Sequence, residues 1–192
     1  MAALAAFDAT GHWVDTWACP NQITAQLQPL GIDHGRWPLR DLGDGSLTAV
    51  QTAYAVELQA LSQRLVVRSM DRVQLRPGHP GWPALRQQFL AEHTHGDAEI
   101  RFFLGGAGLF YIRRADGGAF GLLCEATDWV AIPAGARHWF DAGEQPDFDA
   151  LRLFSTELGW QAQPVPDAPI GQWPLLDEFR TRLLSLSGFH EG

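Results

Sequence analysis

The feature that most narrows the possible folds begins at residue 92. From there to residue 154, short apolar runs alternate with Gly, Asp or Pro at intervals of roughly ten residues. RFFLGG, GLFYIRR, AFGLLCEA, DWVAIPAG, HWFDAG and DFDALRLF each read as a strand followed by a turn. Many short antiparallel strands need their edges closed, and a barrel or jelly roll does this. The stretch before residue 90 is more helical. Ile23, Leu27 and Leu30 recur at helical spacing, with Gly31 as a stop signal. Leu47, Val50, Tyr54, Leu58, Leu61 and Leu65 recur at steps of three and four, which predicts one continuous helix over 47–65. Residues 71–75 read as a brief strand, PALRQQFL as another short helix, and LLDEFRTRLLSL as a last helix after a proline-rich arm.

The expected organisation is one domain over 1–192, mainly β with flanking helices. It comprises a helical N-terminal arm and first strands over 1–90, a barrel core over 91–158, and a C-terminal arm over 159–192. With 46% hydrophobic residues and eight Trp, the chain has ample material for a core. The net charge is −8 and the basic residues are all scattered Arg, so no footprint for nucleic acid or anionic membrane stands out. No apolar run reaches the ~20 residues of a membrane span. The N-terminal apolar run lacks the basic flank of a secretory signal. Cys19 and Cys124 form no CxxC pair or disulfide framework and read as packed, reduced thiols. A cytoplasmic monomer acting on a small molecule, with neither nucleic acid nor membrane as partner, is the expectation.

The segment EHTHGDAEIRFFLGG places His93, His95, Glu99 and Arg101 where a buried strand is expected. On a helix His93 and His95 would point about 200° apart, whereas on a strand all four share one face. Burying an imidazole or a carboxylate without partners costs several kcal/mol or more, so something must compensate these groups. A divalent metal does so directly, since imidazoles and a carboxylate are ordinary ligands for Fe, Ni, Mn, Co or Zn. An isolated HxH is more often a hydrated surface loop. This one is followed by DWVAIPAGARHWF, where a Pro-Ala-Gly turn can return the chain and bring His138 toward the first cluster. Arg101 reads either as a binder of an anionic ligand or as an ordinary ion-pair partner of Glu99. Phe89, Phe140 and Trp160 read as pocket walls or as core packing. His12, His34, His79 and His190 lie near Gly, Pro or a terminus and read as solvated surface residues.

HxH(x)3E(x)6G at 93–106 and PxGxxH at 133–138 resemble the two metal-binding motifs of the cupin superfamily. Gln87 stands where the first motif usually has Gly, and Ala142 where the second usually has Asn. Beyond the motifs, FLAEHTHGDAEIRFFLGGAGLFYI, LLCEATDWVAIPAGARHWFDAG and LRLF resemble the acireductone dioxygenase family of methionine salvage, over roughly residues 20–160. Gly96-Asp97-Ala98 is less acidic than that family's usual loop.

The resemblance implies a cupin-type jelly roll in which His93, His95, Glu99 and His138 hold one Fe(II) or Ni(II), with two coordination positions open. It implies a reaction of 1,2-dihydroxy-3-keto-5-methylthiopentene with O2. With iron the products are formate and 4-methylthio-2-oxobutanoate, and with nickel methylthiopropanoate, formate and CO. Another cupin oxygenase or isomerase, or a non-catalytic metal-binding cupin, would use the same four ligands.

Overall fold

The computed structural model describes residues 2–157, 161–166, 168 and 173–186. The strands are β1 (Ala3–Phe7), β2 (Trp13–Trp17), β3 (Asp33–Arg36), β4 (Ser69–Leu75), β5 (His93–Thr94), β6 (Glu99–Arg113), β7 (Ala119–Glu125), β8 (Asp128–Ile132), β9 (His138–Asp141), β10 (Phe148–Phe154) and β11 (Gln163–Pro164). The helices are α1 (Pro20–Leu27), α2 (Leu47–Ala53), α3 (Ala55–Ser62), α4 (Trp82–Leu90) and α5 (Leu176–Leu186).

Two antiparallel sheets share β6. One runs β11-β5-β9-β6-β7-β1-β2 and the other β3-β8-β6-β10-β4. This is the jelly-roll arrangement expected from the strand-and-turn texture, and β6 belongs to both walls because it is long. RFFLGG and GLFYIRR, read as two strands, are in fact one. Gly105 and Gly106 pass through the sheet with a register shift against β10 instead of ending it. The shift leaves Leu104 unpaired between Phe103 and Gly105, and just beyond it Gly106 has φ 66°, where a Cβ would lie 1.8 Å from the carbonyl oxygen of Asp147, so only glycine fits there.

The bulge exchanges the two faces of β6. Before it, Phe103 points into the barrel interior while Ile100, Phe102 and Leu104 point outward. After it, Phe110 and Ile112 point inward while Leu109 and Tyr111 point outward. Both faces of β6 are therefore buried, which explains its near-continuous apolar run. Outward from one sheet, α2, α3 and Trp37 cover Phe102, Leu151 and Leu153. Outward from the other, α5 and Trp173 cover Phe7, Tyr111 and Trp139. Each fully buried Phe or Leu adds roughly 2–3 kcal/mol of hydrophobic stabilisation before entropy is counted.

The helix predicted over 47–65 is divided at Tyr54, whose backbone leaves helical geometry at φ −110° and ψ 21°. Its ring is fully buried against Phe102 and Trp37, and its hydroxyl donates to the Pro38 carbonyl. Ser46 caps the first half by accepting from the Ala49 N–H. The first strands expected in the N-terminal part are β1, buried beside β7, and β2, which pairs with β1 at the outer edge of the sheet. Both cysteines are free, but Cys19 is exposed and only Cys124 is packed. α4 packs on β9 through Trp82, whose indole N–H donates to the Gly143 carbonyl.

Candidate metal centre

The four residues singled out for metal binding come together at one end of the barrel. His93 lies on β5, directly paired with His138 at the start of β9, and His138 in turn pairs with Ile112 on β6. Glu99 opens β6 opposite Ile132. One potential ligand atom from each of His93, His95, Glu99 and His138 lies within 4.8 Å of the others, and all four residues are buried. The imidazole centroids are 4.5 to 5.0 Å apart.

Hydrogen bonding fixes how each imidazole is presented. The Nδ1 atoms of His93, His95 and His138 lie 2.7, 2.5 and 2.8 Å from the carbonyl oxygens of Ala91, Gln161 and Ala136. A carbonyl can only accept, so each Nδ1 carries the proton and each Nε2 carries a lone pair. The Nε2 atoms of His95 and His138 then face Glu99 Oε2 at 2.8 and 3.4 Å. Neutral lone pairs converging on a carboxylate are repulsive unless a cation lies among them. The donor set, three nitrogens and one oxygen, fits a first-row divalent metal. Backbone carbonyls holding Nδ1 are the usual outer support of a histidine ligand.

The electrostatics agree with this arrangement. Burial, aided by neighbouring His138, pushes the His93 imidazole down to about 4, so it is neutral at physiological pH. Burial opposes ionisation of Glu99, but the Arg101 guanidinium beside it holds its carboxyl well below the usual carboxylate range. The Pro-Ala-Gly turn acts as the sequence suggested. The Gly135 N–H donates to the His95 carbonyl, tying the turn before His138 to the loop that carries His95.

Arg101 shares the inward face with Glu99, and its Nη2 donates to Glu99 Oε1 at 2.5 Å. The ion pair is real, yet it uses a single nitrogen. Nε and Nη1 are buried without a hydrogen-bond partner among the described residues. The guanidinium carbon sits 4.4 Å from the Phe140 ring centre and 4.9 Å from that of Phe110. Phe140 is on the inward face beside His138, and Phe89 on α4 meets it edge-on at 5.9 Å. Trp160 lies outside the described residues, as does His190. Asp97, in the loop that departs from the family, is buried and accepts from the Ser155 N–H, so the loop is anchored to the end of β10.

Sequence reasoning missed one residue. His34 is not a solvated surface histidine, because both ring nitrogens are buried without a hydrogen-bond partner among the described residues. No local pattern could reveal this, since it depends on β3 pairing with β8.

A jelly-roll barrel with three histidines and one glutamate converging inside it defines a metal-binding protein of cupin type. The family model described as "ARD/ARD' family" matches residues 45–162. An acireductone dioxygenase from Synechococcus sp. is 43% identical over 157 residues, which is 81% of this chain and 86% of the relative. One from Klebsiella pneumoniae is 39% identical over 180 residues, covering 92% of this chain and 99% of that one. The solved acireductone dioxygenase from Bacillus anthracis, with a cadmium ion in its active centre, superposes with a TM-score of 0.74. It is 25% identical, and the match covers 85% of this chain and 98% of that one. The chain belongs to the ARD/ARD' family.

Proposed function

We propose that the protein is a metal-dependent dioxygenase that cleaves acireductone, 1,2-dihydroxy-3-keto-5-methylthiopentene, with O2 in methionine salvage. The observation that carries this reading is the convergence of three backbone-locked imidazoles on the Glu99 carboxylate, in a chain whose relatives at about 40% identity are named acireductone dioxygenases. His93, His95, Glu99 and His138 hold one Fe(II) or Ni(II). Bound there, the ion would supply Lewis acidity toward the enediolate and electron transfer to O2.

The remaining work falls to the chain. Arg101 directs its unused N–H groups at an oxygen of the anionic substrate, in a setting dry enough for a charge-assisted hydrogen bond to count. Phe89 and Phe140 wall the site and keep water from the reacting carbons. The Ala91, Gln161 and Ala136 carbonyls keep each histidine in the tautomer that presents Nε2.

We read the chain as a single cupin-type unit and a monomer in the cytoplasm, with the small molecule and O2 as its partners; no helix among the described residues is long and apolar enough to cross a membrane. The test is to load purified protein with Fe(II) or Ni(II), add acireductone anaerobically, and then admit oxygen. The expected result is substrate-dependent O2 uptake with formate release, the keto acid 4-methylthio-2-oxobutanoate appearing with iron and methylthiopropanoate with CO appearing with nickel. Absence of O2 uptake with both metals overturns the reading.

A further inference from the structure

His34 lies on β3 opposite Val130 of β8, and Val130 lies opposite Arg101 of β6. Directly paired residues of antiparallel strands point to the same face, so His34, Val130 and Arg101 form one inward row. Two neighbours verify the direction. Val130 belongs to the barrel interior, while Gly35, next to His34, turns its α-carbon toward Trp129 on the opposite face, where an added Cβ would lie 2.7 Å from the indole nitrogen. With strands roughly 4.8 Å apart, the His34 and Arg101 backbones are separated by about 10 Å, and both side chains extend into the space between the sheets.

Neither ring nitrogen of His34 has a hydrogen-bond partner among the described residues. Val130 and Ile32 are apolar, and α1, which packs against β3, buries Ile23 and Leu27 in the same interior cluster. Arg36, two residues along the same face, is committed to Asp128 and to the Thr127 hydroxyl. Burial, with Arg36 nearby, lowers the imidazole below its ordinary value and favours its neutral form. A neutral imidazole offers one donor and one acceptor. Leaving both buried and unused is destabilising, whereas Phe in the same volume would leave no polar group unpaired. Arg101, in the same row, has the complementary gap: N–H donors only, two of its nitrogens unused. A single hydroxyl can accept from a guanidinium N–H and donate to the lone-pair nitrogen of an imidazole, filling one gap on each side chain.

We infer that His34 is a further substrate-positioning residue, and that it and Arg101 together bind a hydroxyl-bearing enediol through the oxygen that the four-ligand cluster does not hold. The inference rests on the dioxygenase reading. It explains why a nitrogen-bearing ring stands at an interior position where an apolar one would be more stable.

The test compares iron-loaded wild type with His34→Phe, His34→Leu and His34→Gln. It measures metal content, unfolding by denaturant, anaerobic substrate binding by absorbance, and O2 uptake over a substrate series. Phe and Leu are expected to retain the metal and to match or exceed wild-type stability, while substrate Kd and KM rise roughly tenfold, the loss of one hydrogen bond. Gln, which keeps a donor and an acceptor, should recover most of that loss. If the Phe variant fails to fold, the Leu variant is read in its place. Wild-type Kd and kcat/KM in the apolar variants would overturn the inference while leaving the dioxygenase reading intact. A wild type that consumes no acireductone would bring down both, whatever the variants do.

Discussion

Two arginines on opposite faces of the same sheet show what separates packing from function here. Arg72, on the outward face of β4, uses its whole fork: Nε and Nη2 donate to the two oxygens of Asp149 at 2.8 and 2.6 Å, and Nη1 donates to the Gly45 carbonyl. Arg101, on the inward face of β6, is more deeply buried yet makes one ion-pair bond and leaves two nitrogens without hydrogen-bond partners among the described residues. Its guanidinium balances the buried Glu99 carboxylate and lies against the Phe110 and Phe140 rings. The outward face has been satisfied internally. On the inward face, Arg101 keeps two nitrogens without a hydrogen-bond partner among the described residues.

That contrast can be broken in order of expected effect. Glu99→Ala removes the one carboxylate from the inward cluster, and metal content and turnover should fall together by at least roughly 100-fold. Metal analysis beside O2 uptake checks this, and full metal retention would remove Glu99 from the ligand set. On the outward face, Phe102→Ala empties the space beneath Tyr54 and Trp37 and should cost about 3–5 kcal/mol in denaturant unfolding. Surviving molecules of that variant should keep normal metal content below their melting temperature. Arg101→Leu should spare the metal and lower kcat/KM by roughly 100-fold. Its unfolding free energy in the metal-free protein should fall, because Glu99 is left as a buried carboxylate without its ion-pair partner.

The smallest effect belongs to the outward pair. Burial raises Asp149, but its hydrogen bonds from Arg72 and Gln74 outweigh this and hold the carboxyl below its ordinary value of 3.8. A carboxyl lowered in the folded state stabilises above its unfolded pKa, and that contribution is lost as pH falls through the folded value. Asp149→Asn should therefore lower stability at neutral pH by about 1 kcal/mol or less, with the gap to wild type closing below pH 3.8. Unfolding curves at pH 7 and in the acid range test this, and a gap that widens with acid would contradict the pair's assigned role.

The site was legible in the sequence because its information is local. His93, His95, Glu99 and Arg101 are separated by even steps, and the turn at Pro133 announces that His138 returns. The stop at Gly31 was also legible, its backbone being left-handed at φ 70° as its position suggested. Features set by distant partners were not. The helix over 47–65 bends because Tyr54 meets Phe102 and Trp37, neither of which its own periodicity contains. His34 sits in an exposed-looking Asp-His-Gly-Arg context and becomes interior only through pairing with Val130. Gly105-Gly106 reads as a turn, since a sequence does not say whether a glycine pair ends a strand or kinks it.

The glycine bulge in β6 has a consequence for how the molecule can vary. Odd-numbered positions face the reaction chamber up to Phe103 and even-numbered ones from Phe110 onward, so the residue count between Glu99 and Ile112 is itself a constraint. Side chains along that stretch can be exchanged one at a time with local penalties. Adding or removing a single residue would instead invert half a strand, sending Phe110 and Ile112 outward and Tyr111 inward, and would unmake both sheets together. In this segment heredity must conserve a number as well as a composition.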